Sequence, residues 1–258
     1  MRKLCLVYVA VLTVIQVASA QKIISPQAHG WLMYFGNHKI NDHWGLHTEY
    51  QWRRASRDEN ANVFQDWQQS LLRLGVDYYA KNQAQWTAGY GWIKTFEYGD
   101  QPVSHAFNEH RIWEQFIVKN KVGRADIQHR YRLEQRFIEQ YKLGSTGEYL
   151  QNGYVFRNRI RYRFMFTVPL SRKEMKDHTL FLSIYDEPFL GFGKGIGKNI
   201  LDQNRLYGAL GWRFNKDFNV QLGYLNQYVV KTDGIKAERN HTLQLSMTYN
   251  VNFSKPKQ

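Results

Sequence analysis

The sequence predicts an all-β protein: an antiparallel, up-and-down transmembrane β-barrel of 10 or 12 strands. Three observations predict it. Apolar and polar residues alternate with period two in segment after segment. The two faces so produced differ in kind, one dense in aromatics and the other carrying arginines in rows. Finally, one apolar run alone approaches spanning length, and it lies at the extreme N-terminus. The chain has 258 residues, 43% hydrophobic and 16% aromatic. A mean hydropathy of -0.59 excludes a helical membrane bundle, and the aromatic content excludes a disordered basic tail.

The N-terminus reads as a secretory signal peptide over 1–20. Arg2 and Lys3 precede an apolar stretch from Leu4 to Val17, and Ala18-Ser19-Ala20 supplies a small-x-small cleavage site. Cys5 leaves with it, so residues 21–258 form one exported domain without disulfides. Removing Arg2 and Lys3 leaves 33 basic residues against 22 acidic, a net charge of +11. Export argues against nucleic acid as the partner of that charge and for an anionic membrane surface or an anionic solute.

Eleven segments carry the alternation: 29–38, 43–53, 64–79, 83–96, 107–119, 124–139, 154–169, 178–190, 203–214, 218–230 and 240–253. Their length suits tilted spanning strands of roughly 9–11 residues. In 241–253, Leu243, Leu245, Met247, Tyr249 and Phe253 share one face while Gln244, Ser246 and Thr248 share the other. That segment resembles the terminal strand read by barrel insertion machinery. The connections alternate between short and long, as periplasmic turns and extracellular loops do. Lys81-Asn82 and Asn215-Lys216-Asp217 suit tight turns. Bacterial barrels have even strand counts, which turns eleven segments into an expectation of 10 or 12.

The arginine rows fix the lumen. An arginine facing lipid at mid-depth costs about 2–4 kcal/mol, and Arg157, Arg159, Arg161 and Arg163 lie on one strand. They therefore point inward, beside Arg130, Arg132, Glu134 and Arg136. Glu49, Arg53, Arg73, Glu109, Arg111, Glu187, Arg205 and Arg213 complete the expected lumen lining. Two readings follow. The rows form an ion-pair network that plugs a narrow barrel, or they line an anion-favouring channel.

The ordered motifs Leu133-Glu134-Gln135-Arg136-Phe137, Arg159-Ile160-Arg161-Tyr162-Arg163, Tyr185-Asp186-Glu187-Pro188-Phe189, Asn204-Arg205-Leu206 and Gly223-Tyr224-Leu225-Asn226-Gln227 resemble the family catalogued as domain of unknown function 2490. The resemblance runs from Trp31 to Phe253. It implies an outer-membrane barrel of the Bacteroidota type and brings no catalytic residues.

Other chemistry finds little support. No histidine is followed two residues later by serine, so the His-x-Ser pattern of outer-membrane phospholipases is missing. Ser70, Ser183 and Ser246 read as pore-face polar residues. His38, His43 and His47 surround a turn and do not converge on a metal. Asp186 and Glu187 are adjacent, so they face opposite sides of a strand. The glycine-rich stretch 191–198 reads as a mobile extracellular loop, and the eight tryptophans as membrane girdles. No catalytic residue, metal or cofactor is expected. The expected role is a structural or accessory barrel, or a narrow porin-like channel, in the outer membrane of a Gram-negative bacterium. Its partners would be outer-membrane lipid and lipopolysaccharide, the insertion machinery through 241–253, and an anionic solute. A lipid-modifying enzyme and a soluble, lipocalin-like periplasmic binder are the alternatives.

Overall fold

The computed structural model describes residues 22–57, 62–80, 84–100 and 102–254. The expected signal peptide over 1–20 and the expected turn at Lys81-Asn82 lie outside the described residues. The strands are β1 (Ile23–Lys39), β2 (Trp44–Ala55), β3 (Asp66–Tyr79), β4 (Ala84–Thr95), β5 (Phe107–Val122) and β6 (Ala125–Leu143). They continue as β7 (Tyr149–Pro169), β8 (Thr179–Phe192), β9 (Leu201–Arg213), β10 (Phe218–Val230) and β11 (Lys236–Tyr249). Each strand pairs with its successor in antiparallel fashion, and β1 pairs with β11 to close the barrel.

The count is eleven, which corrects the expectation of 10 or 12. That expectation assumed that the first and last strands must run antiparallel. Here they run parallel, from Ile23 opposite Lys236 to Phe35 opposite Thr248. A parallel ladder satisfies the same backbone groups with slanted bonds, so closure places no demand on parity. β1 also begins well before the predicted 29, which lengthens the closing seam.

Three of the described turns have a local cause. Asn41 Oδ1 accepts from the His43 and Trp44 amides, each at 2.9 Å. Asn215 Oδ1 does the same for Asp217 and Phe218, again at 2.9 Å. Short polar side chains that bond the backbone two or three residues on favour reversal over strand. Between β5 and β6 the reversal uses Gly123 at φ +60°, a conformation open to glycine at little cost. The predicted loop 140–153 is mostly strand, with only 144–148 left between β6 and β7. Beyond Ile138 and Asn158 these two strands pair only with each other.

The outer surface is largely apolar, broken by polar side chains such as Glu114 and Asp186. Leu46, Leu72, Leu74, Ile112, Leu206, Leu222, Leu243 and Leu245 are all exposed. A monomer rarely leaves an apolar patch larger than a few hundred Å² open to water. No described helix is long and apolar enough to cross a membrane, which says nothing of a barrel. The apolar core is small and lies inside the barrel on one side, where Trp31, Met33, Tyr207, Ala209 and Leu225 cluster.

Candidate functional site

Alternation along the strands places most of their charged side chains inside the barrel, and Glu134 is their hub. It is fully buried. Arg159 Nε donates to its Oε2 at 2.9 Å, and Arg161 Nη1 to its Oε1 at 2.8 Å. Arg73 Nη2 lies 3.3 Å and Arg111 Nη1 3.7 Å from the same Oε1. From this centre the network spreads. Arg73 reaches Glu49 at 2.6 Å, and Arg132 stands 3.9 Å from the other Glu49 oxygen. Arg161 reaches Glu187 at 2.8 Å, and Arg130 reaches it at 2.5 Å. Arg111 and Arg136 share Glu109 at 2.5 and 2.6 Å. Arginine suits this setting because its planar charge is weakly hydrated and forks onto carboxylates.

The other five expected lining arginines make no ion pair among the described residues. Arg53 donates to Gln69 at 2.7 Å and lies 4.1 Å from the Trp31 ring centroid. Arg205 lies between Trp31 and Phe189, 5.3 and 4.9 Å from their centroids. Arg163 bonds Gln128 at 2.5 Å and lies 5.4 Å over Tyr185. Arg213 donates to the Met175 carbonyl at 3.5 Å. Arg157 is half-buried opposite Arg136, under the loop that follows β8. Guanidinium over an aromatic face replaces part of a counter-charge when the site is dry. Phe189, fully buried, has Arg159, Arg161 and Arg205 around its ring.

The network divides the lumen into two cavities. The larger, about 530 Å³, reaches the rim of the short turns at Met175, Lys216 and Asn250. The smaller, about 150 Å³, lies on the long-loop side and is lined by Arg53, Arg111, Arg136, Tyr98 and Asp202. Arg161 and Arg205 line both, so they stand in the partition. Tyr98, from the loop between β4 and β5, enters the long-loop side. There its hydroxyl lies 3.4 Å from Glu238, and its ring meets His29 edge-on at 5.6 Å.

Several of these residues were invisible to alternation. Asp202 bonds Arg159 at 2.5 Å, although strict parity would turn it outward. A bulge sets Phe189 opposite Gln203 and Leu190 opposite Leu201, and the extra residue is Asp202. A second bulge, at Arg53/Arg54, does the same for Gln68, which accepts from Trp31 Nε1 at 2.7 Å. Bulges re-aim single side chains, and sequence period does not mark them. The girdle reading also fails for two tryptophans. Trp31 and Trp113 are fully buried inside, whereas Trp44, Trp67, Trp86, Trp92 and Trp212 are exposed outside.

The remaining candidates separate. His47 points inward, bonding Asn37 at 3.0 Å, with Nε2 3.6 Å from Glu49. His38 bonds Thr48 at 2.8 Å, and His43 is exposed at the turn. Among the described residues no three metal-binding side chains gather. Ser183 and Ser246 are buried in the lumen beside Thr167 and Gln244, at 3.3 and 2.8 Å. Ser70 shares the outer face of Leu72 instead. Glu187 is buried inside, and Asp186 lies on the opposite face. The glycine-rich loop is packed rather than loose. The Lys198 amide bonds Thr232 O at 2.9 Å, and a Cβ on Gly195 would lie 1.9 Å from Phe156 O.

Residues 28–253 match the family described as "Protein of unknown function (DUF2490)". The chain belongs to this family. No curated protein matches the sequence. Among solved structures, the chain is similar to the β-domain of the Bordetella autotransporter BrkA, at 8% identity and a TM-score of 0.44. That alignment covers 72% of this chain and 78% of the other.

Proposed function

We propose that this member of the family is an outer-membrane β-barrel whose lumen is sealed, acting as a structural or accessory component rather than as a pore. One observation carries the reading: the ion-pair layer around Glu134, which four arginines hold, lies between the two cavities. The apolar outer band supports membrane residence, since charges inside and leucines outside suit lipid and oppose a soluble, lipocalin-like binder. In this orientation the short turns face the periplasm, the longer loops contact lipopolysaccharide, and β11 engages the insertion machinery.

Two measurements test it. Cells expressing the chain are fractionated, and the extracted protein is run boiled and unboiled on a gel. Heat-modifiable migration from the outer-membrane fraction is expected, and a soluble periplasmic product without that shift overturns the membrane reading. In planar bilayers the folded protein is expected to give no steady conductance. Steady conductance would replace the sealed reading with the second one, an anion-favouring channel. The cationic lining of the larger cavity favours that alternative, and Arg161→Glu should then reduce its anion preference.

A further inference from the structure

We propose that the larger cavity is a binding site for a small organic anion rich in hydroxyl groups, of the class of phosphorylated or carboxylated sugars. The inference goes beyond the sealed-barrel reading. It needs the barrel to close but not to reside in a membrane.

The cavity has three chemically distinct walls. The first is cationic. The lining carries eight lysine or arginine side chains against three carboxylates, Glu49, Asp126 and Glu187. Glu49 and Glu187 are already held by Arg73, Arg130 and Arg161. Arg163, Arg205 and Arg213 have no carboxylate within 4.0 Å among the described residues, and the Nε of each makes no hydrogen bond there. Planar guanidinium forks match the oxygens of carboxylate and phosphate groups. The balance therefore favours an anion over a cation or a neutral solute.

A second wall, on β10, β11 and Asn250 just beyond β11, is neutral and hydrogen-bonding: Gln221, Gln244, Ser246, Thr248 and Asn250. Such groups both donate and accept, as hydroxyl groups do. A bare inorganic anion needs no such wall. The third surface is apolar, formed by Tyr185 and Tyr207, stacked at 4.7 Å, with Met33 beside them. It offers aromatic edges and the Met33 side chain to the C–H side of a sugar ring. The volume, about 530 Å³, falls within the roughly 300–1,000 Å³ typical of small-molecule sites. The mouth at Met175, Lys216 and Asn250 gives access from the short-turn side.

The test is calorimetric titration of the folded, full-length protein with four probes: glucose 6-phosphate, glucuronate, glucose and inorganic phosphate. Saturable binding of either sugar anion, at least tenfold tighter than glucose and inorganic phosphate, is expected. The double variant Arg163→Gln, Arg213→Gln should weaken it tenfold or more. Ser246→Phe, which narrows the neutral wall without changing charge, should weaken it by a similar factor. Heat-modifiable migration of each variant checks that the barrel still closes. Inorganic phosphate binding as tightly as glucose 6-phosphate overturns the proposal, because the neutral and aromatic walls would then contribute nothing. So does the absence of saturable heat with every probe, or sugar-anion binding indifferent to both sets of substitutions in folded protein. A failed membrane fractionation leaves this test intact, so the two readings fail separately.

Discussion

From β2 to β9 the lumen is lined with guanidinium and carboxylate groups, whereas from β10 through β11 to β1 it is lined mainly with amides, hydroxyls and apolar side chains. On the first wall, Glu134 has four arginines within 4.0 Å. On the second, Asn240 donates to Gln227 at 3.2 Å, and Gln244 to Ser246 at 2.8 Å. Both walls fill the interior, but they differ in how strongly their members depend on one another. A buried charge must find its counter-charge at one position or incur a large desolvation cost. A neutral amide can turn, exchange partners, or take one lone pair fewer at a modest cost. The charged wall therefore holds the barrel to one geometry, and the neutral wall tolerates change.

Substitutions should expose that difference in graded steps. Glu134→Ala, which leaves four arginines around an uncompensated site, should destabilise the barrel by about 3–5 kcal/mol in denaturant titration. A loss below about 1 kcal/mol would erase the contrast between the walls. On the neutral wall, Gln227→Ala removes partners of Gln203 and Asn240 and should cost about 1–3 kcal/mol by the same titration. Thr242→Val is the mildest change inside. Thr242 is fully buried, and its hydroxyl finds no partner among the described residues, so the variant should unfold within about 0.5 kcal/mol of the parent.

Outside the lumen the contrast is read from pH dependence. In the turn before β11, the Lys236 and Ile235 amides donate to Asp233 and hold its carboxyl below the ordinary aspartate range. A depressed native pKa stabilises the fold above the unfolded value, and that contribution fades as pH falls through the native one. The difference between the parent and Asp233→Ala should thus stay constant near neutral pH and shrink only in acid. A difference that grew on acidification would reverse the sign.

Most of the strand segments and the alternation of the arginine rows could be read from the sequence because period two is a strong and repeated signal, but the strand count of 10 or 12 could not survive the parallel closure. The positions that escaped that signal follow from three physical facts. First, a bulge inverts parity at one residue without leaving a mark in composition, which hid Asp202 and Gln68. Second, an aromatic residue suits either side of a barrel wall. Trp31 and Trp113 fill space between charged neighbours, with Arg53 and Arg132 over their rings at 4.1 and 4.8 Å. Third, a loop residue such as Tyr98 has no period at all, and only the folded chain brings it to Glu238.

The parallel seam between β1 and β11 also gives the barrel a direction. With an odd number of crossings, Ile23 begins on the long-loop rim and Tyr249 ends on the rim of the short turns. Ile23 and Tyr249 therefore lie at opposite rims of the barrel. A reporter joined before Ile23 and another joined after Phe253 would occupy different compartments of any membrane the barrel crosses. An even-stranded barrel, which returns both ends to one side, offers no such vectorial arrangement.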